Sequence, residues 1–407
     1  MTSPNPEPSA ERLTEIVLAF LKIGATAYGG PAILGILQTE LQEKRRWVSK
    51  EQFIEGLSLV NMLPGAAATQ LGIFLGYTRG GFWGGTLAGL CFVLPAFLIM
   101  LALTMVYSAF GATPVMKGAL YGLGPVVLAV FLVAVCRLGK SAAATIPQLA
   151  LAVAAALAAA FTPLGVVPLL ALAGAIGILL FHSRKAGAIV VVALIAFDVA
   201  LHVLPWSDFT FVSSRNTPGV SAQSPGLFEI GSFFLMVGAF SFGGGLTLIA
   251  FIQEQVVNQY QWLTQREFID GLALGQFTPG PILMVSAYVG YKLAGIAGAV
   301  VAATAIFLPA FVLMLSILPV FDRMRKLLWT RAAMKGIGPA VIGVLTVSLF
   351  HMAPHALPDA PAVGLFVGAV AAMLVWRVGA IKLVILGAFL GAARDRLASL
   401  AGIRVAP

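Results

Sequence analysis

Residues 61–77 read NMLPGAAATQLGIFLGY and residues 276–291 read QFTPGPILMVSAYVGY, two versions of one pattern in which a Pro-Gly pair interrupts apolar sequence. Such a break frees backbone N–H and C=O groups. Inside a bilayer those groups are tolerated only where protein or a water-filled cavity satisfies them. The two breaks therefore mark the candidate site, and the remaining chain is read outward from them.

The surroundings of the breaks are those of a membrane protein. Hydrophobic residues make up 59% of the 407 residues and charged residues 10%, against about 25% charged in soluble domains. Apolar runs of spanning length, about 20 residues, recur along the whole chain, and no polar stretch is long enough for a separate soluble domain. The net charge of +9 comes from Lys and Arg grouped in short loops beside apolar runs. That placement signals topology, and the basic stripe of a nucleic-acid binder is missing. The start, MTSPNPEPSAERLTE, is polar and acidic, so no cleavable signal peptide is expected and the first helix is expected to direct insertion. Cys91 and Cys136 lack CxxC spacing, and His182, His202, His351 and His355 show no ligand pattern, so no metal or other cofactor is expected.

In chain order, residues 13–37 form a first apolar stretch broken at Tyr28-Gly29-Gly30-Pro31 and carrying Lys22. Charges follow at Glu40, Glu43, Lys44, Arg45, Arg46 and Lys50 around Trp47. The arms on either side of Pro64-Gly65 are short and partly polar, which predicts a re-entrant or broken-helix hairpin. Spans are expected at 82–107, 115–136, 142–161, 164–181 and 187–204. A polar linker occupies 205–226, and the pattern then restarts. Residues 227–252 break at Phe242-Gly243-Gly244-Gly245, Trp262 follows a charged segment, and a second hairpin precedes spans at 295–319, 333–351, 361–376 and 379–392.

Register supports the repeat. Phe20 and Phe234, Gly29 and Gly243, Glu40 and Glu254, Tyr77 and Tyr291, Pro95 and Pro309, and Pro125 and Pro339 are each 214 apart. Trp47 and Trp262, Phe53 and Phe268, and Pro64-Gly65 and Pro279-Gly280 are 215 apart, so one insertion and one deletion flank the hairpin. The fold class expected is an all-α polytopic membrane protein of two homologous halves, 1–204 and 227–407, with about 10–12 membrane segments. Equivalent loops carry opposite charge bias: 44–50 is basic where 253–267 is acidic, and 108–114 is uncharged where its counterpart holds Arg323, Arg325, Lys326 and Arg331. By the positive-inside rule the halves are expected in opposite orientations, an inverted repeat. Counting 187–204 as a full span would spoil that inversion.

Inverted repeats with broken helices place substrate near the midplane, where half-helix N-termini present free N–H groups and a positive dipole end. The expected binding set is Pro64, Gly65, Ala66, Thr69 and Gln70 in the first half, Pro279 and Gly280 in the second, and Asn61 and Gln276 just before each break. The competing reading is that Pro-Gly merely kinks packed helices. Lys22, with Met236 as its counterpart, is an electrostatic partner for an anion or a carboxylate, or else snorkels to the interface. Glu55 and Asp270, and Glu40 and Glu254, are equivalent carboxylates that could carry a coupling proton. No GxxxxGK[ST] loop is present, so coupling to an ion gradient is expected rather than ATP hydrolysis.

YGGPAILGILQTE, RRWVSKEQFIEGLSLVNMLPGAAATQLGIFLGYTRGG and FVLPAF, with FGGG, QWLTQREFIDGLALGQFTPGP, VGYKLAG and FLPAF in the second half, resemble the chromate ion transporter family, in its long two-domain form. The resemblance covers about the first third of each half. It implies export of chromate across the bacterial inner membrane, driven by the proton motive force, with sulfate as the closest analogue. The partners implied are chromate or sulfate, protons and the lipid bilayer; a homodimer is left open. Carried onto this chain, the family's motif positions include Gly29, Gly30, Pro31, Glu40, Trp47, Pro64, Gly65, Gln70, Gly72 and Pro95, and they add Gly243 and Gly244 to the expected binding set. Tyr28 stands where the family has Phe, Ala66 replaces the second Pro of PGP, and Gly245 replaces the Pro of the second FGGP, so the two halves are unequal. The alternatives are a transporter of sulfate or another oxyanion, a membrane-embedded enzyme, for which no His-rich, Cys-rich or phosphate-binding constellation exists, and a structural or channel role.

Overall fold

The computed structural model describes residues 10–28, 32–60, 63–111, 113–162, 165–181, 225–240, 249, 251–320 and 328–393. The expected span at 187–204 and nearly all of the polar linker lie outside the described residues. Regular structure is helical, with no strand among the described residues. Four helices among them are long and apolar enough to cross a membrane: Ala67–Phe110, Pro114–Ala142, Ile282–Ile317 and Ala332–Ala356. The chain is a multi-pass membrane protein.

Two compact units are present, and each draws chain from both sequence halves. The first comprises Met1–Ala134, Gly226–Arg323 and Ser348–Pro407, and the second Val135–Pro225 and Met324–Val347.

The first unit holds both Pro-Gly hairpins. Helix α1 (Ala10–Thr26) buries Ile16, Ala19, Phe20, Ile23 and Gly24, a helical stripe, and packs on α4 (Ala67–Phe110). Between them lie α2 (Ala32–Leu37), a π-helical turn (Gln38–Lys44) and α3 (Lys50–Val60). In the second half α8 (Leu227–Ala239) packs on α10 (Val285–Ile317), with a π-helical turn (Gln253–Gln259) and α9 (Gln265–Phe277) before it. Arg46 and Gln261, just past the two π-turns, share a φ of 53° and precede Trp47 and Trp262.

Helix α4 is not one rod. It breaks at Gly80 (φ −142°, ψ 26°) and Gly81 (φ 60°, ψ −153°), the latter a conformation open essentially to glycine alone. Residues 67–79 fold back along 82–110, so that Gly76 faces Gly84 and Ala88, and Gly85 faces Ile73 and Tyr77. Helix α10 repeats the break at Ala294 (φ −143°, ψ 30°) and Gly295 (φ 61°, ψ −149°), with Gly290 facing Gly298 and Ala302. On the other side of each tip, Gly56 of α3 faces the Phe74 ring and Gly271 of α9 faces the Tyr288 ring. Each half therefore runs arm, Pro-Gly tip, arm, tight reversal and long helix, which is the hairpin expected from sequence.

The halves meet through their long helices. A Cβ on Gly280 would lie 2.8 Å from the Ala96 Cβ, and one on Gly65 would lie 3.4 Å from the Ala310 Cβ. Ala96 and Ala310 are 214 apart and the glycines 215 apart, so the contact is reciprocal, as a local two-fold requires. Gly85 faces Leu315 and Gly89 faces Phe311. One helix advances while the other retreats, so the equivalent segments pack antiparallel. Ala96 is central in 82–110, roughly 20 Å from either end at about 1.5 Å per residue.

The unit is completed by the start of α5 (Pro114–Ala142), whose Gly118 and Gly122 face Gly391 and Gly387 of α13 (Ala380–Ala392), and by α12 (Ala360–Leu374). The second unit packs α6 (Ile146–Phe161) and α7 (Val166–Phe181) with residues 328–347 of α11 (Leu328–Ala356). Gly177 faces Ala332 and Gly336, and Gly343 faces Ala152 and Ala156. These are small-residue contacts that let backbones approach closely.

Candidate oxyanion site at the hairpin tips

At the first tip, Pro64 is half-buried and Gly65 and Ala66 are buried. Gly65 holds a φ of 128°, and the Gln70 amide occupies the place where its Cβ would stand. Gln70 Nε2 donates to the Pro64 carbonyl (2.7 Å), and the Gln70 backbone N–H closes the first helical turn onto Ala66 O (2.8 Å). Ala66, the residue just before α4, offers only a methyl group, and no side-chain cap bonds the start of the helix among the described residues. That leaves a positive helix end at a buried tip.

Thr69 and Gln70 are both 0% exposed, and Thr69 Oγ1 and Gln70 Oε1 make no hydrogen bond among the described residues. Elsewhere in the chain helical threonines return their hydroxyl to the carbonyl four residues back, as Thr78, Thr86 and Thr104 do. For Thr69 that carbonyl belongs to Gly65, which lies before the helix begins. Buried polar groups are nearly always paired, which makes the two atoms candidate contacts for a polar ligand or water.

The second tip is built differently. Thr278 bonds Leu274 O (3.1 Å) and Met100 Sδ (3.3 Å), and Gly280, at a φ of 91°, donates its N–H to Ala27 O (2.7 Å), just before the Tyr28-Gly29-Gly30 break of the first half. After Pro281 a 3-10 turn (Ile282–Met284) closes on itself, with Met284 N–H donating to Pro281 O. This tip therefore spends backbone donors on protein carbonyls, one in the first half and one within its own turn. Pro279 is buried and Gln276 half-buried. Asn61, Gly29, Gly30, Gly243 and Gly244 lie outside the described residues. One residue escaped the sequence reading: Ser286, in the first turn of α10, is 0% exposed and its Oγ is unpaired among the described residues. It is a small polar residue set in the apolar run that follows Pro279-Gly280, and that contrast was the available signal.

The charged candidates separate. Lys22 is exposed on α1. Glu40 binds Lys44 Nζ at 2.5 Å, and that bond, with a lesser contribution from the Lys22 charge, holds its carboxyl below the usual glutamate range. Glu254 accepts from Asn258 (2.7 Å) and, like Glu55, is half-buried. Asp270 is 4% exposed on α9 and accepts from the Tyr107 hydroxyl at 3.1 Å. Near the conserved-register Trp47, Glu15 joins Arg79 (2.9 Å), Arg45 (3.5 Å) and the Trp47 indole N–H (2.9 Å), while both guanidinium groups lie over the indole. The ion pair with Glu15 anchors Arg79, the last residue before the break at Gly80-Gly81.

The family model described as Chromate transporter matches residues 14–178 and again 228–392, two windows offset by the same 214 residues found in the register. The chain is 32% identical to a chromate transport protein of Cupriavidus metallidurans, over 93% of this chain and 92% of the relative. It is 32% identical to a probable chromate transport protein of Synechococcus elongatus, over 92% of each. A chromate transport protein of Pseudomonas aeruginosa is 31% identical over 89% of this chain and 87% of its own. No solved structure matches. With the family model matched once in each half and the relatives aligned nearly end to end, the chain belongs to the chromate transporter family, as a transport protein with two homologous halves.

Proposed function

We propose that the protein is a secondary active transporter that exports chromate across the bacterial inner membrane at the expense of the proton motive force, binding the oxyanion at the paired hairpin tips. The observation that carries this reading is the start of α4, uncapped among the described residues, beside two buried polar atoms with no hydrogen-bond partner among those residues, Thr69 Oγ1 and Gln70 Oε1, in a chain of this family. Tetrahedral oxyanions suit helix N-termini. Thr69 supplies a hydroxyl donor, and Gln70 keeps a second Nε2 hydrogen beyond the one given to Pro64. Its Oε1 calls for a donor, which a water or the hydroxyl of a singly protonated oxyanion supplies.

In this reading Pro64, Gly65 and Ala66 shape the first tip, and Gln276, Pro279 and Gly280 close the site from the second. Gly29, Gly30, Asn61, Gly243 and Gly244 flank it, and Lys22 acts at a distance through its charge. The antiparallel contact of the two long helices supports opposite membrane orientations, in agreement with the opposite loop charges. Gly280 and Ala96 meet midway along 82–110, which supports a site near the midplane. Glu40, Glu55, Glu254 and Asp270 are the candidate coupling groups.

The test is chromate uptake into everted vesicles, with and without an imposed pH gradient and with sulfate as competitor. Accumulation that uncouplers abolish is expected. Sulfate uptake in place of chromate would reassign the substrate, and the absence of either would refute the reading.

A further inference from the structure

Among the four carboxylates, Asp270 is buried where Glu40, Glu55 and Glu254 are half-buried. It sits in the first half of α9, the arm leading to the second tip, and Tyr107, near the end of the long first-half helix, donates its hydroxyl to Oδ2 at 3.1 Å. This is a hydrogen bond between the two sequence halves within one compact unit. Asp270 Oδ1 is buried and accepts no hydrogen bond among the described residues; Arg266 Nε stands 3.6 Å away. The ion pair with the partly exposed Arg266 leaves that buried oxygen without a hydrogen bond, which is costly for an ionised carboxylate, whereas a proton there converts it into a neutral group.

The surrounding groups form a linked set. From α10, Tyr288 packs its ring against Tyr107 (5.7 Å between centroids) and donates its hydroxyl to Glu267 O (2.9 Å). Lys292 binds the Glu267 carboxylate (2.8 Å) and lies 5.9 Å from the Tyr107 ring centre. Arg266 and Glu267 belong to α9 itself. The other elements packed on α9 carry Glu254 and Lys382, and neither forms an ion pair with Asp270 among the described residues. Tyr107 is therefore held by Asp270, Tyr288 and Lys292 together. The equivalent of Asp270 is Glu55, half-buried on α3.

We infer that Asp270 is the proton-binding residue that couples transport, and that its bond to Tyr107 is a latch between the second hairpin arm and the long first-half helix. With Asp270 ionised, the Tyr107 bond is charge-assisted, so the arm is held. A proton taken up on Oδ1 leaves a neutral bond, about half as strong. The arm is then released, together with the Thr278-Pro279-Gly280 tip at its end. Proton binding midway along α9 thus acts on the oxyanion site at the end of the helix. The inference rests on the transport reading above for its second half and on geometry alone for its first.

Two measurements on the full-length protein test it. In pH-difference infrared spectra of the purified wild type, a buried carboxylic acid band that titrates is expected. It disappears in Asp270→Asn, persists in Glu55→Gln, and titrates at higher pH in Tyr107→Phe, where the carboxylate has lost its donor. In everted vesicles, Asp270→Asn is expected to keep exchange of radiolabelled for unlabelled chromate and to lose accumulation driven by a pH gradient, while Glu43→Gln, at an exposed position, keeps both. A titrating band that survives Asp270→Asn, or gradient-driven accumulation by that variant, overturns the assignment. Loss of exchange along with accumulation also overturns it, since a purely structural role does that. An unmoved titration in Tyr107→Phe overturns the latch. A wild type that transports no chromate but shows the Asp270 band refutes the transport reading and leaves the proton site standing.

Discussion

Replacing Thr69 with Val separates a ligand contact from a packing contact. The swap keeps the shape of a side chain that is 0% exposed and removes a hydroxyl with no partner among the described residues. For the empty protein it breaks no hydrogen bond among the described residues and takes away a buried polar atom unpaired among them, a burden of about 1–3 kcal/mol. Stability is therefore expected to hold or to rise. For the loaded protein the hydroxyl donates to a charged oxygen, and such a bond contributes about 1.5–3 kcal/mol. Its loss weakens the apparent affinity for chromate by roughly 10- to 150-fold. The assays are initial-rate uptake in everted vesicles across a chromate series, and thermal unfolding of the detergent-purified protein. A raised KM with an undiminished melting temperature is expected. A KM within about threefold of wild type would mean that the hydroxyl does not meet the substrate, since threefold corresponds to less than about 1 kcal/mol. A KM change accompanied by a large fall in stability would make Thr69 a packing residue.

Gln70→Ala also removes the Nε2 bond to Pro64 O, so thermal unfolding should reveal a loss of about 1–3 kcal/mol alongside weakened transport. Gly280→Ala forces a side chain onto a φ of 91° and against Ala96, at about 1–3 kcal/mol; adding Ala96→Gly should recover part of the loss, because it relieves the contact and leaves the backbone strain. Glu40→Gln should leave gradient-driven uptake unchanged and cost about 0.3–0.5 kcal/mol of stability. Because Lys44 lowers the Glu40 pKa, that contribution is complete above the ordinary glutamate range and fades as pH falls through the lowered value, which stability measured against pH will show. Single cysteines at Ser108 and Arg325 should be labelled by an impermeant thiol reagent from opposite sides of the membrane; labelling from one side would refute the inverted repeat.

The repeat was legible because the turn chemistry at each break admits few residues. Gly65, Gly81, Gly280 and Gly295 all sit at positive φ, so the same residue recurs in register wherever the backbone needs it. Pro-Gly likewise announced the tips. The reversal at Gly80-Gly81 was visible only as an end of apolar sequence at Arg79 and its resumption at Phe82, because in the second half Ala294 takes the place of Gly80 and hides the pair. What sequence could not give is the partner of each group. Glu55 and Asp270 are equivalent by register, yet Asp270 meets Tyr107 from the other half, and no local pattern encodes a contact made by tertiary packing. The unequal tips were half legible. PGA against PGP predicted a difference, and the structure adds that the second tip turns its amides inward through a 3-10 turn while holding the overlooked Ser286.

The central claim is that the oxyanion binds at the hairpin tips, chiefly the first. Anomalous diffraction at the chromium edge, from crystals of the full-length protein grown with chromate, tests it most directly. The account predicts a chromium peak at the start of α4, with chromate oxygens about 3 Å from Thr69 Oγ1 and from the first-turn N–H groups. A peak at the Arg45–Arg79–Trp47 cluster, with none at either tip, would contradict it.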